Sequence, residues 1–440
     1  MVVLLTLVYS LSYVDRTIIG TVGEAIKQDL RLTDTQLGML HGLAFSIFYI
    51  GLTVPLARLA ERVNRVNLIA LCIFAWSLCT AALGIVSSFV GLFVTRILVG
   101  IGEAGTTPAS HSMIADVYAP RERGKAVGTL LMGIPFGMLI GALVAGWATQ
   151  HFGWRVAFIA LGIPGIAIAF VLKSTVKEPP RGWSENKVTS ATEAPPAFRA
   201  VLRQLLSSAA VVHLGIGKAL MTTFIFCAAG FTVSFFIRSF GLTYGEIGLI
   251  YGVAVGIGYA VGAIAGALLT DLLPKWDRRW YGWMPMLVLA LAGPVYLLAY
   301  SQHAWQLAAV LLFVGSALGY ASIAPGSVSF HNILEPRTRA TAISVLFVVE
   351  NVLPLAVGPM LLGFLSDQFA ASAFSHLGAG DFASACPGGK AMARAGADLV
   401  AACARSLAVG TRQSLQLLCL LPLWSAFHYY LHATALPRSR

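Results

Sequence analysis

Charge is scarce in this sequence. Asp, Glu, Lys and Arg make up 11% of the 440 residues, against about a quarter in an ordinary soluble chain. Hydrophobic side chains account for 57%, and the mean hydropathy is +0.78. No soluble core needs that much apolar surface, so a polytopic membrane protein is implied. The charge that exists is lopsided, net +11, yet the basic residues lie in short loops between apolar runs and form no single patch. That distribution argues against a nucleic-acid partner and for charge that sets topology.

Cysteine and histidine are sparse too. Four of the six cysteines, Cys72, Cys79, Cys227 and Cys419, lie in apolar stretches, where a thiol acts as a small hydrophobe. Cys386 and Cys403 flank a polar loop and can pair if that loop faces an oxidising compartment. His111, His213 and His331 are scattered without ligand spacing, so neither a metal site nor a cofactor is expected. Gly-x-Ser-x-Gly and His-Glu-x-x-His are missing, so no enzyme is expected. The first apolar run has neither a basic start nor a small-residue cleavage site, so no cleavable signal peptide is expected. Because the chain opens inside that run, a short polar N-terminus is expected to have been removed.

What the sequence does contain is apolar windows of about 20 residues, the length of a spanning helix. Six lie near 1–24, 34–60, 66–86, 89–116, 123–150 and 154–173. Six more lie near 206–238, 243–273, 282–300, 305–331, 338–370 and 408–435. The segment between the sets is rich in Pro, Ser, Thr and charge, and reads as a linker with room for a short amphipathic helix. The expected fold is an all-α polytopic membrane protein with twelve transmembrane helices in two pseudo-symmetric six-helix bundles. Residues 1–173 form one bundle and 206–440 the other, joined by a cytoplasmic linker at 174–205, with an outer loop at 371–407.

Alternate loops carry Arg58, Arg62 and Arg65; Arg121, Arg123 and Lys125; the linker bases, Lys187 among them; Lys275, Arg278 and Arg279; and Arg337 with Arg339. These loops and both termini are therefore expected in the cytoplasm, across a cell inner membrane from the loop of Cys386 and Cys403. The halves are also related to each other. "APRERGKAVG" (119–128) and "EPRTRATAIS" (335–344) share Pro-Arg-x-Arg at a separation of 216, each after a helix interrupted by proline, Pro108 or Pro325. Parallel repeats are a transporter signature, with the substrate site at the midplane.

Ionisable residues at membrane depth point to the working site, because each costs about 2.5–3.5 kcal/mol on insertion scales unless it pairs or lines water. Asp15 and Arg16 stand side by side in "YSLSYVDRTIIG". Arg96 and Glu103, in "RILVGIGEAGTTPAS", are about two turns apart on one helix face, where they either pair or let Arg96 tune Glu103. The Gly-x-Gly-x-x-Gly between them follows no strand, so it is no dinucleotide loop. Its small residues allow close helix contact, as do Gly133, Gly137 and Gly141. Asp15, Glu103 and Arg96 are read as the proton-coupling group, and Arg16, with Arg96 and Glu103, as the site for a phosphate or carboxylate. In the second half Glu350 lies deep, while Lys218 is expected to snorkel to the surface. Phe224, Phe231, Phe235 and Tyr320 are candidates for an apolar wall that accepts an acyl tail. Glu61, Arg62 and Arg65 in "ARLAERVNR", with Asp271 in the place of Glu61 in the second half, either latch neighbouring helices or simply set topology.

Twelve spans in two halves, "ARLAERVNR", "RILVGIGEAG" and "GIPFG" resemble the major facilitator superfamily. The loop departs from the family pattern at Ala57, Glu61 and Asn64, where Gly, Asp and Gly are usual. Within that superfamily, "SYVDRTIIG" with "GIGEAG" is similar to the spinster family of lipid transporters, over the whole chain. The resemblance implies a proton-driven exporter of amphipathic lipids, such as sphingosine-1-phosphate or lysophospholipids, with Asp15, Arg16, Arg96 and Glu103 in the working site. Its partners are then the lipid, protons and the bilayer, and a monomer is expected. Organic-anion symporters of the superfamily share a similar fourth-helix motif and supply the alternative, with a lipid scramblase as a further one.

Overall fold

The structure, a computed structural model, describes residues 1–119, 122–181, 198–333, 339–377, 380–392 and 395–436. Arg121, Lys187, Arg337 and the Pro-Arg pairs of the repeat lie outside them. All regular elements among the described residues are helices. The first half holds α1 (Val2–Leu30), α2 (Asp34–Gly38), α3 (Ala44–Ala60), α4 (Arg65–Leu83), α5 (Phe89–Glu103), α6 (Thr106–Val117), α7 (Arg123–Leu131), α8 (Gly133–Phe152) and α9 (Trp154–Thr175). The linker contributes α10 (Phe198–Ser207). Then come α11 (Ala209–Phe240), α12 (Tyr244–Tyr251), α13 (Gly258–Leu272), α14 (Trp280–Ser301), α15 (Trp305–Ala321) and α16 (Ile323–Ile333). The chain ends with α17 (Arg339–Ala356), α18 (Gly358–His376), α19 (Phe382–Ala385), α20 (Ala397–Leu418) and α21 (Leu420–Ala435).

Eleven helical stretches among the described residues are long and apolar enough to cross a membrane. The twelfth is α20 with α21, where Asp398, Arg405 and Arg412 confine the apolar part to the later residues. Proline sets the internal breaks. Helices part at Gly105, Met132, Ser322 and Cys419, each three residues before a proline: Pro108, Pro135, Pro325 and Pro422. A proline has no N–H for the carbonyl four residues back, and its ring crowds that carbonyl. The second and eighth spans open alike, with Thr33–Gln36 and Thr243–Glu246 capping boxes, which satisfy otherwise orphaned backbone donors.

The chain divides into two compact units: Met1–Ser190, Ala229–Gly252 and Pro359–Thr411 form the first, and Ala191–Ala228, Val253–Gly358 and Arg412–Arg440 the second. The first unit therefore takes in α12 and α19 and parts of α11, α18 and α20 from beyond the sequence midpoint. Within it α1 packs along α8, where a Cβ at Gly137 would come within 2.3 Å of the Ser10 carbonyl oxygen. In the same way a Cβ at Gly100 of α5 would stand 2.3 Å from the Phe45 carbonyl oxygen. Glycine is required at both for the helix backbones to meet. Leu71, Val90 and Phe170 stay exposed, as side chains facing lipid do. Cys386 and Cys403 are joined, with Cα atoms 5.7 Å apart, and pack with Phe374, Phe382 and Leu407.

Candidate functional site

Asp15 and Arg16 project from α1 in different directions, because successive helical residues are turned by about 100°. Asp15 Oδ2 meets Arg96 Nη1 at 2.8 Å, and its Oδ1 accepts from Thr80 Oγ1. Arg16 reaches the other way. Its Nη2 and Nε lie 2.9 and 3.2 Å from Glu103 Oε2, which also accepts from Ser12 Oγ at 2.8 Å. Two ion pairs thus cross between α1 and α5. The expected link of Arg96 with Glu103 is not made, since two turns along one helix separate the side chains by about 10 Å. Each instead takes a partner from α1.

The two pairs differ in access. Asp15, Arg96 and Glu103 are buried, whereas the Arg16 side chain is 18% exposed. Its guanidinium carbon lies 5.1 Å from the Tyr13 ring centroid and 4.9 Å from those of Phe45 and Tyr49. Such faces attract a cation and hold it in place. Phe45 also serves Arg96, at 5.4 Å. Oε1 of Glu103 is buried and has no hydrogen-bond partner, although most buried polar atoms have one. Glu103 is the last residue of α5, immediately before the break that Pro108 imposes. The site thus offers a seated guanidinium and a carboxylate with one unused oxygen.

A family model for the Major Facilitator Superfamily matches residues 5–237 and 214–379. The chain belongs to the major facilitator superfamily. An MFS-type efflux pump of Mycolicibacterium smegmatis is 31% identical over 371 residues, 83% of each chain. A probable galactarate/D-glucarate transporter, GudP of Bacillus subtilis, is 27% identical over 57% of this chain and 59% of its own. Among solved structures, a bacterial homologue of the human lysosomal transporter Spinster, inward-facing and unoccupied, superimposes with a TM-score of 0.88. It has 29% identity and coverage of 99% and 96% of the two chains. That likeness supports the spinster branch of the superfamily.

The other residues singled out in this superfamily member fall in several places. In the second unit Lys218 Nζ lies 2.8 Å from Glu350 Oε1 and 3.3 Å from Ser327 Oγ. Lys218 therefore does not snorkel, because a carboxylate within reach satisfies it. Phe224 and Phe231 are wholly buried, as is Phe235, and Phe224 packs on Tyr296 at 4.5 Å. They fill helix contacts and line no open wall. Tyr320 is half-buried and stacks on Tyr259 at 4.5 Å. Glu61, Arg62 and Asp271 are exposed and form no ion pair among the described residues. Arg65 is buried and bound to Asp116 and Glu178, so it ties α4 to α6 and to the segment after α9. A guanidinium out of water needs carboxylates beside it, and these two supply them.

A second buried charge group lies in the first unit and escaped the sequence reading. Arg238 of α11 grips Asp34 through Nη1 and Nη2, each at 2.7 Å, and Glu24 through Nη2 at 2.7 Å. Lys27 and Ser366 also bind Asp34, and Thr411 binds Arg238. Asp367 accepts from the Asp34 and Thr35 backbone N–H groups at 2.9 and 2.8 Å. The group ties α1, α2, α11, α18 and α20 together. Its only sequence signal is Arg238, a lone cation in the aromatic run "FFIRSF".

Proposed function

We propose that this superfamily member is a proton-driven exporter of zwitterionic amphipathic lipids, of the lysophospholipid or sphingosine-1-phosphate kind, working by alternating access. The observation that carries the reading is the Arg16–Glu103 pair, with its accessible guanidinium and the unpartnered Oε1 of Glu103. A zwitterionic head group exchanges that pair for two of its own, phosphate on Arg16 and ammonium on Glu103. The phosphate gains a planar fork already seated among aromatic rings. The ammonium needs Glu103 ionised, so it competes with a proton for the carboxylate. Exchange requires that competition: the lipid leaves as a proton takes its place.

Asp15, held by Arg96 and Thr80, is the second proton carrier. The sequence halves, 1–173 and 206–440, are the bodies that alternate, in an inner membrane with the basic loops and both termini cytoplasmic. A monomer suffices, since every residue invoked is in one chain. The likeness to the spinster homologue supports the spinster branch, and the lipid class is what that resemblance implies.

A purely anionic substrate behaves oppositely. It takes Arg16, strands the buried Glu103 carboxylate, and so loads together with a proton, which is cotransport. The similarity to the galactarate/D-glucarate transporter favours this second reading. Proteoliposomes with an imposed pH gradient separate the two. Export predicts lysophosphatidylethanolamine moving against the proton flow, with binding that weakens as pH falls. Cotransport predicts glucarate accumulating with protons, with binding that strengthens as pH falls. Lysolipid that moves equally fast without a gradient indicates a scramblase and rules out both.

A further inference from the structure

The two sequence halves treat one equivalent place differently. In the first, Arg65 opens α4 with its guanidinium buried. Nε lies 2.7 Å from Glu178 Oε1, Nη1 donates to Ser112 Oγ at 2.9 Å and to Asp116, and Nη2 donates to the Pro179 carbonyl at 3.0 Å. The loop that holds Asp271 in the place of Glu61 is longer by about six residues than its first-half counterpart, so the 216-residue separation resumes only at the helix start: Arg65 at the start of α4 then corresponds to Tyr281 near the start of α14, and Asp116 to Asn332 near the end of α16. Neither replacement is charged. The plug of the first half has no counterpart among the described residues, and a cavity of about 630 Å³ is bordered by Tyr281, Asn332, Ser329, Asp271, Lys275 and Arg278.

The cavity is cationic and its wall is fixed. Lys275 and Arg278 form no ion pair among the described residues, whereas neighbouring Arg279 is paired with Asp277 at 3.1 Å and lies 4.3 Å from the Trp283 ring. Ser329 Oγ lies 2.9 Å from His432 Nε2. His432 Nδ1 is 2.8 Å from the Ala210 carbonyl, which only accepts, so Nδ1 carries the proton and Nε2 accepts from Ser329. Trp276, Trp280 and Trp283 lie in the same stretch of chain, and such tryptophans sit at head-group depth.

We propose that this cavity binds the head group of an anionic phospholipid, phosphatidylglycerol in kind, from the leaflet on the side of the basic loops. Lys275 and Arg278 hold the phosphate, Tyr281 and Asn332 donate to its oxygens, and Asp271 accepts from the glycerol hydroxyls. Basic pockets between helices on the cytoplasmic side are suited to such heads. This site is distinct from the Arg16–Glu103 pair, which belongs to the other unit.

The test is native mass spectrometry of the full chain released from nanodiscs of phosphatidylglycerol and phosphatidylcholine in equal parts. The parent protein should retain phosphatidylglycerol, and Lys275→Ala with Arg278→Ala should retain it about tenfold less. A second variant, Tyr281→Arg with Asn332→Asp, places in the cavity the ion pair that Arg65 and Asp116 form in the first half. It should melt no lower than the parent and exclude the lipid as well. Equal retention by the parent and both variants overturns the proposal. So does a melting temperature raised by millimolar inorganic phosphate in the parent and not in the variants, if lipid retention stays unchanged, since the occupant is then a soluble phosphate.

Discussion

Nη2 of Arg16 stands 2.9 Å from Oε2 of Glu103, joining α1 to the last residue of α5. The pair holds a charge that exchange must be able to neutralise. Glu103→Gln keeps the shape and removes the titration, so lysolipid binding should lose its pH dependence and accumulation should fall to the gradient-free level. Asp15→Asn should abolish accumulation too. A detergent melting curve close to the parent's shows that the fold survives. Accumulation by both variants against a gradient sinks the proton assignment.

Arg16→Lys should impair transport of phosphate-bearing lipid far more than a like-for-like charge swap suggests. An ammonium offers a point charge on a flexible stem and loses the paired hydrogen bonds of the fork. Affinity for a lysolipid phosphate should drop roughly tenfold or more, a difference of about 1.4 kcal/mol, and affinity for the dephosphorylated analogue should hardly change. Equal losses for both ligands assign Arg16 to structure alone.

Two ion pairs allow a contrast in stability. Arg238→Ala strands Glu24 and Asp34 out of water, at a cost of about 3–5 kcal/mol. The Arg155–Asp29 pair, at 2.6 Å, is 39% and 44% exposed, so Arg155→Ala should cost at most about 1 kcal/mol. Melting curves of the two variants should differ plainly. Similar curves imply that water reaches Arg238.

Cys386 and Cys403 should resist thiol labelling until reductant is added, while Cys386→Ser should free Cys403 for labelling. Their sequence separation is 17, a loop whose closure stabilises by about 3 kcal/mol in the chain-entropy view. Reduction should therefore lower the melting temperature. Two cysteines reactive without reductant exclude the bond.

The spans were legible because bilayer thickness imposes a length, and the four charges of the site because ionisable residues stand out in apolar runs. Their pairing was not legible. Spacing on α5 puts Arg96 and Glu103 on one face, but only the packing of α1 decides that Asp15 takes one and Arg16 the other. Arg65 looked like a loop charge because burial by Asp116 and Glu178 depends on residues 51 and 113 positions away. Phe224 and Phe231 have the same period whether they face a cavity or a neighbouring helix. Glu24, Lys27 and Asp34 fall where an apolar run ends, and charges there ordinarily meet water.

One guanidinium serves Glu24 and Asp34 together, and Lys27 and Ser366 lean on Asp34 as well. Breaking the Lys27–Asp34 or the Arg238–Glu24 contact leaves a buried charge without its paired counter-charge. Buried charge ties α1, α2 and α11 there, and the hydroxyls of Ser366 and Thr411 add α18 and α20. Parting then waits for a rare, large fluctuation that admits water, and its rate climbs steeply with temperature, as cooperative ruptures do. If the proposed transport cycle passes through that event, it keeps time by Arg238, however fast its other steps.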